Sequence, residues 1–307
     1  MIPLIIDTDP GVDDAMAILY AAAHAELDLI GLTTVFGNVP VATATRNALF
    51  LAEMAGLAIP VAEGAAAPLV RPLAPYPDFI HGVEGFGDLP PARPAGRADP
   101  RPAARFLCET VAARPGAVTI CAIGPLTNLA AALALDPSIA RNVARVVVMG
   151  GAVACPGNVT PRAEANIFSD PHAAAAVFGA GWPVTLVGLD VTRQVICTAG
   201  DFARLARAAP VTGGFLERAV QFYLRFHRER HGRDGCTMHD PTAVIEITDP
   251  GLFETRAVPL AVTLEGQAAG RTRLSPAGPA VRVCLVLDAG AVRARFLEVT
   301  GNADVTR

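Results

Sequence analysis

Short, β-rich apolar runs alternate along most of the chain with Ala-rich helical stretches. The runs at 3–6, 27–35, 117–123, 145–149 and 183–189 are expected to be strands. Helical patterns fall between them, near 14–24, 42–56, 101–113, 126–135 and 170–180. Strands that are apolar throughout and separated by helices imply a parallel sheet covered on both faces. Two regions break the alternation. Residues 64–102 are dense in Pro, Gly and Ala and enclose a polar island from Asp78 through His81 to Asp88. So long an irregular stretch is expected to be a lid or binding loop. Residues 200–250 read as successive helices, with 217–231 amphipathic and rich in aromatics. After Leu252, strand patterns at 258–264 and 281–287 and a last helical stretch close the chain. No linker divides it and no solenoid-period repeat occurs, so residues 1–307 are expected to form one α/β domain with a helical elaboration.

Composition narrows the chemistry. Hydrophobic residues make up 52% and charged residues 18%, which excludes a disordered or fibrous chain and supplies a large core. The net charge of −4 gives no basic field for nucleic acid or an anionic membrane. Every basic residue apart from histidine is Arg. Without Lys, Schiff-base chemistry through a side chain, a P-loop and a kinase-type lysine are all excluded. Mean hydropathy is +0.40, yet no run approaches the ~18 apolar residues of a membrane span. The apolar start ends at Asp7 without a basic segment before it, so no signal peptide is expected. The six cysteines are scattered with no C-x-x-C pair and are expected to be reduced, which suits a cytoplasmic protein.

The segment Asp7-Thr-Asp-Pro-Gly-Val-Asp-Asp14 sets four carboxylates directly after a buried strand and before an apolar helix. In an open parallel sheet, ligands bind at the carboxyl ends of the strands, where this cluster must sit. The Pro10-Gly11 turn lets Asp9 converge with Asp13 and Asp14. Carboxylates packed so closely repel unless a cation joins them or some are protonated. One aspartate capping the helix is expected in any case, but capping does not account for four. Oxygen ligands suit Ca²⁺ or Mg²⁺ better than zinc. An EF-hand is excluded because Ile18 occupies the place of its bidentate Glu. A phosphatase of the haloacid-dehalogenase type would use Asp7 as nucleophile, but such enzymes usually hold the phosphate with a Lys. A non-catalytic Ca²⁺- or ribose-binding protein is the alternative outside enzymes.

The aspartate segment resembles the signature of the inosine–uridine preferring nucleoside hydrolases. The resemblance continues through Phe36-Gly-Asn38, Ala122-Ile-Gly-Pro-Leu-Thr-Asn128 and Val148-Met-Gly-Gly151. Gly157-Asn158, Ala163-Glu-Ala-Asn166 and Met238-His-Asp-Pro241 follow in the family's order. It implies an open, mostly parallel Rossmann-like sheet with helices on both faces, and Ca²⁺-dependent hydrolysis of ribonucleosides to base and ribose. It implies Asp9, Asp14, Asp240 and the Ile123 carbonyl as calcium ligands, with Asp9 also the general base. Asp13, Asn38, Asn158, Glu164 and Asn166 match the family's ribose contacts, and amide and carboxylate groups suit vicinal hydroxyls. His239 matches the family's general acid, and its ordinary pKa near ~6.5 suits that role. His81 is expected on a mobile loop, either touching substrate or solvated. On 217–231, Phe222, Tyr223, Phe226 and His227 are candidates for stacking on the base, with Phe222 and Phe226 favoured as core. His227, Arg228 and His231 would form the polar surface of this helix, with Arg230 facing elsewhere. That departs from the tyrosine or glutamine of relatives and leaves base preference open. Gly150-Gly151 reads as a turn, since G-x-G-x-x-G is missing. Relatives form dimers or tetramers, so a homodimer or homotetramer is expected.

Overall fold

A computed structural model describes residues 1–304. Its strands are β1 (Ile2–Thr8), β2 (Leu27–Thr34), β3 (Val61–Glu63), β4 (Thr119–Ala122), β5 (Arg145–Met149) and β6 (Val184–Val187). They continue with β7 (Ile196–Cys197), β8 (Cys236–Thr237), β9 (Phe253–Val262), β10 (Thr272–Leu274) and β11 (Ala280–Leu287). The large sheet runs β10-β9-β11-β6-β5-β4-β1-β2-β3, while β7 and β8 form a separate antiparallel pair. From β3 to β11 neighbours are parallel; β9 and β10 add an antiparallel edge. The sheet is therefore mostly parallel and the fold α/β, as expected.

Alternate side chains of the central strands enter opposite layers, the period-2 consequence of the pleat. Leu4 and Ile6 join one core cluster and Ile5 the other; Val147 and Met149 join the first, Val146 and Val148 the second. Both layers are apolar, which is why these strands read as unbroken hydrophobic runs. Full burial of each such side chain contributes about 1.5–3 kcal/mol. Helices Val12–Ala23, Val41–Met54, Thr212–His231, His239–Thr248 and Ala289–Gly301 supply residues to the first layer. Helices Ala103–Ala113, Thr127–Leu135 and Pro171–Gly179 supply the second. Among the described residues, no helix is long and apolar enough to cross a membrane.

The chain runs outward from β1 to β2 and β3, then returns to place β4, β5 and β6 on the other side of β1. The loops after β1 and β4 thus diverge in opposite directions, leaving a crevice at the carboxyl ends of these two strands. Both the aspartate segment and Ile123 follow directly on those ends.

Four strands have no counterpart in the sequence expectations: β3, β7, β8 and β10, each only two or three residues long. Such pieces are too short to carry a periodicity and are held by their neighbours. The irregular stretch 64–102 holds one helical turn, Asp78–His81, and Asp99 bridges to Ala62. The helix expected over 217–231 begins earlier, at Thr212.

Candidate active site

A cavity of about 760 Å³ opens at the crevice, within the range of small-molecule pockets. Asp9, Asp13, Ile123 and Asp240 line its floor. Asn38, Asn158, Glu164 and Asn166 line it from the loops after β2 and β5, and His81, His227 and His239 from the remaining side. Of the residues that the resemblance assigns to metal, ribose or catalysis, only Asp14 does not line the cavity. Part of the rim comes from residues 71–81, so the irregular stretch is a wall of the cavity.

The aspartates differ in their surroundings. Asp14 accepts from Thr8 Oγ1 at 2.6 Å, the Asp9 amide at 3.2 Å, the Gly11 amide at 2.9 Å and Asn38 Nδ2 at 3.0 Å. It therefore caps helix Val12–Ala23 and also holds Asn38 over the floor. Asp9 accepts from the Asn38 amide through Oδ2 at 2.6 Å, while its Oδ1 is buried with no partner. The Oδ1 of Asp13 is likewise buried without a hydrogen bond, with His81 Nδ1 3.8 Å away. Oxygens of Asp13, Asp14 and Asp240 lie within 4.8 Å of one another. This close group contains Asp13, a ribose contact on the resemblance, rather than Asp9.

The position of Asp9 has a steric cause. A Cβ on Gly37 would stand 2.0 Å from Asp9 Oδ2, and one on Gly124 would stand 2.5 Å from Oδ1. The carboxylate is clasped between two backbones that only glycine allows so near. Gly37→Ala is expected to displace Asp9 and lower turnover more than about tenfold. The same change at Gly179, which meets nothing within 4 Å, should leave turnover unaltered. Equal rates for the two variants would contradict the clasp.

No basic side chain among the described residues forms an ion pair with Asp9, Asp14 or Asp240. Burial pushes Asp13 up to about 8, with Asp14 adding to the effect. Burial, and then neighbouring carboxylates, hold Asp9 and Asp240 well above the ordinary range. Uncompensated carboxylates, two bare buried oxygens and the Ile123 carbonyl make an all-oxygen donor set that fits a hard divalent cation. Asn166 Nδ2 donates to that carbonyl at 2.8 Å and to the Met149 carbonyl at 3.2 Å, fixing the loop after β4 against the loop after β5. Glu164 caps the turn Ala165–Ser169, accepting from the Asn166, Ile167 and Gly151 amides. Asn158 is exposed at the mouth and accepts from the Ala165 amide at 3.0 Å.

Asp7 is separate from this group. It is fully buried, its Oδ1 accepts from Thr33 at 2.5 Å and Asn128 at 2.7 Å, and it does not line the cavity. A phosphatase nucleophile at this position would have no access to substrate.

The histidines depart most from expectation. His81 is not a solvated loop residue: it is buried at the end of its helical turn, accepts from the Val12 amide at 3.2 Å and stacks on Tyr223. Burial pushes it down to about 3. His239 is also pushed to about 3, by burial and then by His227 and Arg193, so its ordinary value near neutrality does not apply here. His227 is buried with both ring nitrogens free of hydrogen bonds, edge-on to Tyr223 at 4.6 Å between centroids. Phe226 is half-buried, packing against the first core cluster on one side and lining the cavity on the other, and Phe222 is half-buried beneath Arg225. Arg230 and His231 reach the cavity whereas Arg228 turns to Asp234, the reverse of the expected order for the two arginines. At about 100° per residue the two arginines lie on nearly opposite sides of the helix, so only one of them can face the cavity, and the packing of the helix decides which. Arg71, Arg193 and Arg233 complete a basic rim that no local sequence pattern signals.

Comparisons with known proteins identify the family. The sequence profile of the family described as inosine-uridine preferring nucleoside hydrolase matches residues 4–294. Uridine nucleosidase 1 of Arabidopsis thaliana is 43% identical over 270 residues, covering 88% of this chain and 80% of that protein. The inosine-uridine preferring nucleoside hydrolase of Crithidia fasciculata is 38% identical over 267 residues, 86% of this chain and 84% of its own. A plant nucleoside hydrolase structure superposes with a TM-score of 0.95 at 38% identity, covering 98% of this chain and 99% of that one. A purine-preferring ribonucleoside hydrolase from Gardnerella vaginalis does so at 0.94 and 33%, covering 99% of each. With a match over nearly its whole length, the chain belongs to the inosine-uridine preferring nucleoside hydrolase family.

Proposed function

We propose that this protein hydrolyses the N-glycosidic bond of ribonucleosides to free base and ribose, with Ca²⁺ held by Asp9, Asp14, Asp240 and the Ile123 carbonyl. The observation that carries it is the buried convergence of Asp9, Asp13 and Asp240 beside His239 in one nucleoside-sized cavity, with Asp14 close behind Asp13 and Asp240. When bound, the cation offsets the carboxylate charge and makes a neighbouring water more acidic. Asp9 takes a proton from the attacking water through its bare Oδ1. The water oxygen bonds to the anomeric carbon as the bond to the base breaks and its electron pair leaves with the base nitrogen. Asp13, Asn38, Asn158, Glu164 and Asn166 bind the ribose, each vicinal hydroxyl needing both a donor and an acceptor. Because Asn158, Glu164 and Asn166 are already tied to backbone, ribose meets a set site, and its binding energy goes into orienting the reacting carbon. His239 faces the departing base, while His81 from the turn Asp78–His81 and His227 from helix Thr212–His231 border it.

The test is incubation with uridine, inosine and p-nitrophenyl phosphate, followed by assays for ribose, base and phosphate. Ribose and base in equal amounts are expected; phosphate release, or binding of nucleoside without turnover, would overturn the assignment. His239→Ala is expected to depress inosine hydrolysis about 10²-fold or more and p-nitrophenyl riboside hydrolysis much less, since p-nitrophenolate leaves without assistance. Equal losses on both would remove His239 from leaving-group activation.

A further inference from the structure

The segment after β6 turns back toward the cavity as the short helix Leu189–Thr192. Thr192 is fully buried, and its hydroxyl lies 2.8 Å from His239 Nδ1, the only hydrogen-bond partner it has among the described residues. We propose that Thr192 is a positioning residue: its hydroxyl donates to Nδ1 of His239, so that Nε2 carries the proton and presents it to the departing base. A neutral imidazole has one donor and one acceptor nitrogen, and the partner of the first decides the role of the second. A threonine hydroxyl inside a helix can donate to the carbonyl four residues back, here Gly188, but that carbonyl accepts backbone amides and not this hydroxyl. With no other acceptor in reach, the hydroxyl proton goes to Nδ1.

The surroundings make the segment a rigid mount. Asp190 accepts from the Val153 and Ala154 amides at 2.9 and 2.6 Å, and the Leu189 amide donates to the Gly151 carbonyl at 2.9 Å. The Met238 amide donates to the Val195 carbonyl at 3.0 Å, so the backbone entering His239 hangs on the same segment. Arg193 ties it to the Gly157 carbonyl at 2.6 Å, next to Asn158. The ring is therefore referenced to the loop after β5 as well as to its own helix.

Thr192 has this role only if the hydrolysis proposed above takes place. The experiment compares wild type, Thr192→Val and Thr192→Ser on inosine and on p-nitrophenyl riboside, with ring-nitrogen NMR of His239 in each. Partners that orient a histidine through its second nitrogen are worth roughly 10–100-fold at metal sites. Thr192→Val is expected to lower kcat on inosine by about that factor with KM little changed, and to leave p-nitrophenyl riboside within about twofold. Thr192→Ser, which keeps the hydroxyl, should restore both. The His239 spectrum should show the proton on Nε2 in wild type and Thr192→Ser, and a mixture in Thr192→Val. Equal losses on both substrates, no loss on either, or a wild-type proton on Nδ1 would overturn the proposal. If Thr192→Val does not fold, the wild-type spectrum and the serine variant decide. A wild type inactive on both ribosides would instead overturn the hydrolase assignment.

Discussion

Replacing Asp9 by Ala is expected to lower ribose release from inosine and uridine by roughly 10²–10⁴-fold, the range for a lost general base. The same change should leave the cation-free fold intact. Two effects oppose each other there. The variant loses the hydrogen bond from the Asn38 amide, worth about 1 kcal/mol. It also removes a carboxylate that is 1% exposed, faces three other acids and has no basic partner. Relief of burial and repulsion offsets the lost bond, so without cation the thermal midpoint should equal or exceed that of wild type. Asp9→Asn, which keeps the shape, should lose activity to a similar degree. Unfolded or insoluble Asp9→Ala protein would show that the carboxylate is structural; more than a tenth of wild-type turnover would show that it is not the base.

Adding Ca²⁺ to chelator-treated protein is expected to stabilise it strongly. A ligand at about 100 times its dissociation constant contributes about 2.7 kcal/mol, enough to raise the thermal midpoint by several degrees. Activity should disappear with the chelator and return with Ca²⁺, and Asp240→Asn should abolish the thermal response. The pH dependence follows from the carboxylates. Asp13 is held up to about 8 in the folded protein, with Asp9 and Asp240 also raised, whereas an unfolded aspartate titrates near ~3.9. Between these values the folded state binds more protons than the unfolded state, so cation-free stability falls as pH rises from about 4 to about 8. Bound Ca²⁺ favours the charged forms and should flatten or reverse that slope. A midpoint indifferent to Ca²⁺ and Mg²⁺ at pH 7.5 would leave the cluster without a cation role.

Much of this site could be read in the chain. The four aspartates follow the first apolar run and precede a helix, and a parallel sheet leaves such a segment only one place to go. Asn38, Ile123, Glu164 and Asn166 follow later strands in the same way, so they gather at one end by the same rule. His239 and Asp240 come from another source: no strand of the large sheet precedes them, and they arrive because helix His239–Thr248 packs on Val12–Ala23. Motif order pointed to them; periodicity did not.

The sequence by itself determined the long strands and helices, the α/β class and the place of the acidic segment. Apolar period and turn residues act over a few positions and survive without knowledge of distant neighbours. Tertiary structure alone decided which oxygens of the acids are bare, why Gly37 and Gly124 must lack side chains, and that Arg230 rather than Arg228 enters the cavity. It also pushed His81 and His239 well below the ordinary imidazole range by burial and set Thr192 against His239. Each of these depends on burial and on contacts across tens to hundreds of residues, and dielectric environment and close approach are properties of the packed molecule that no local pattern encodes.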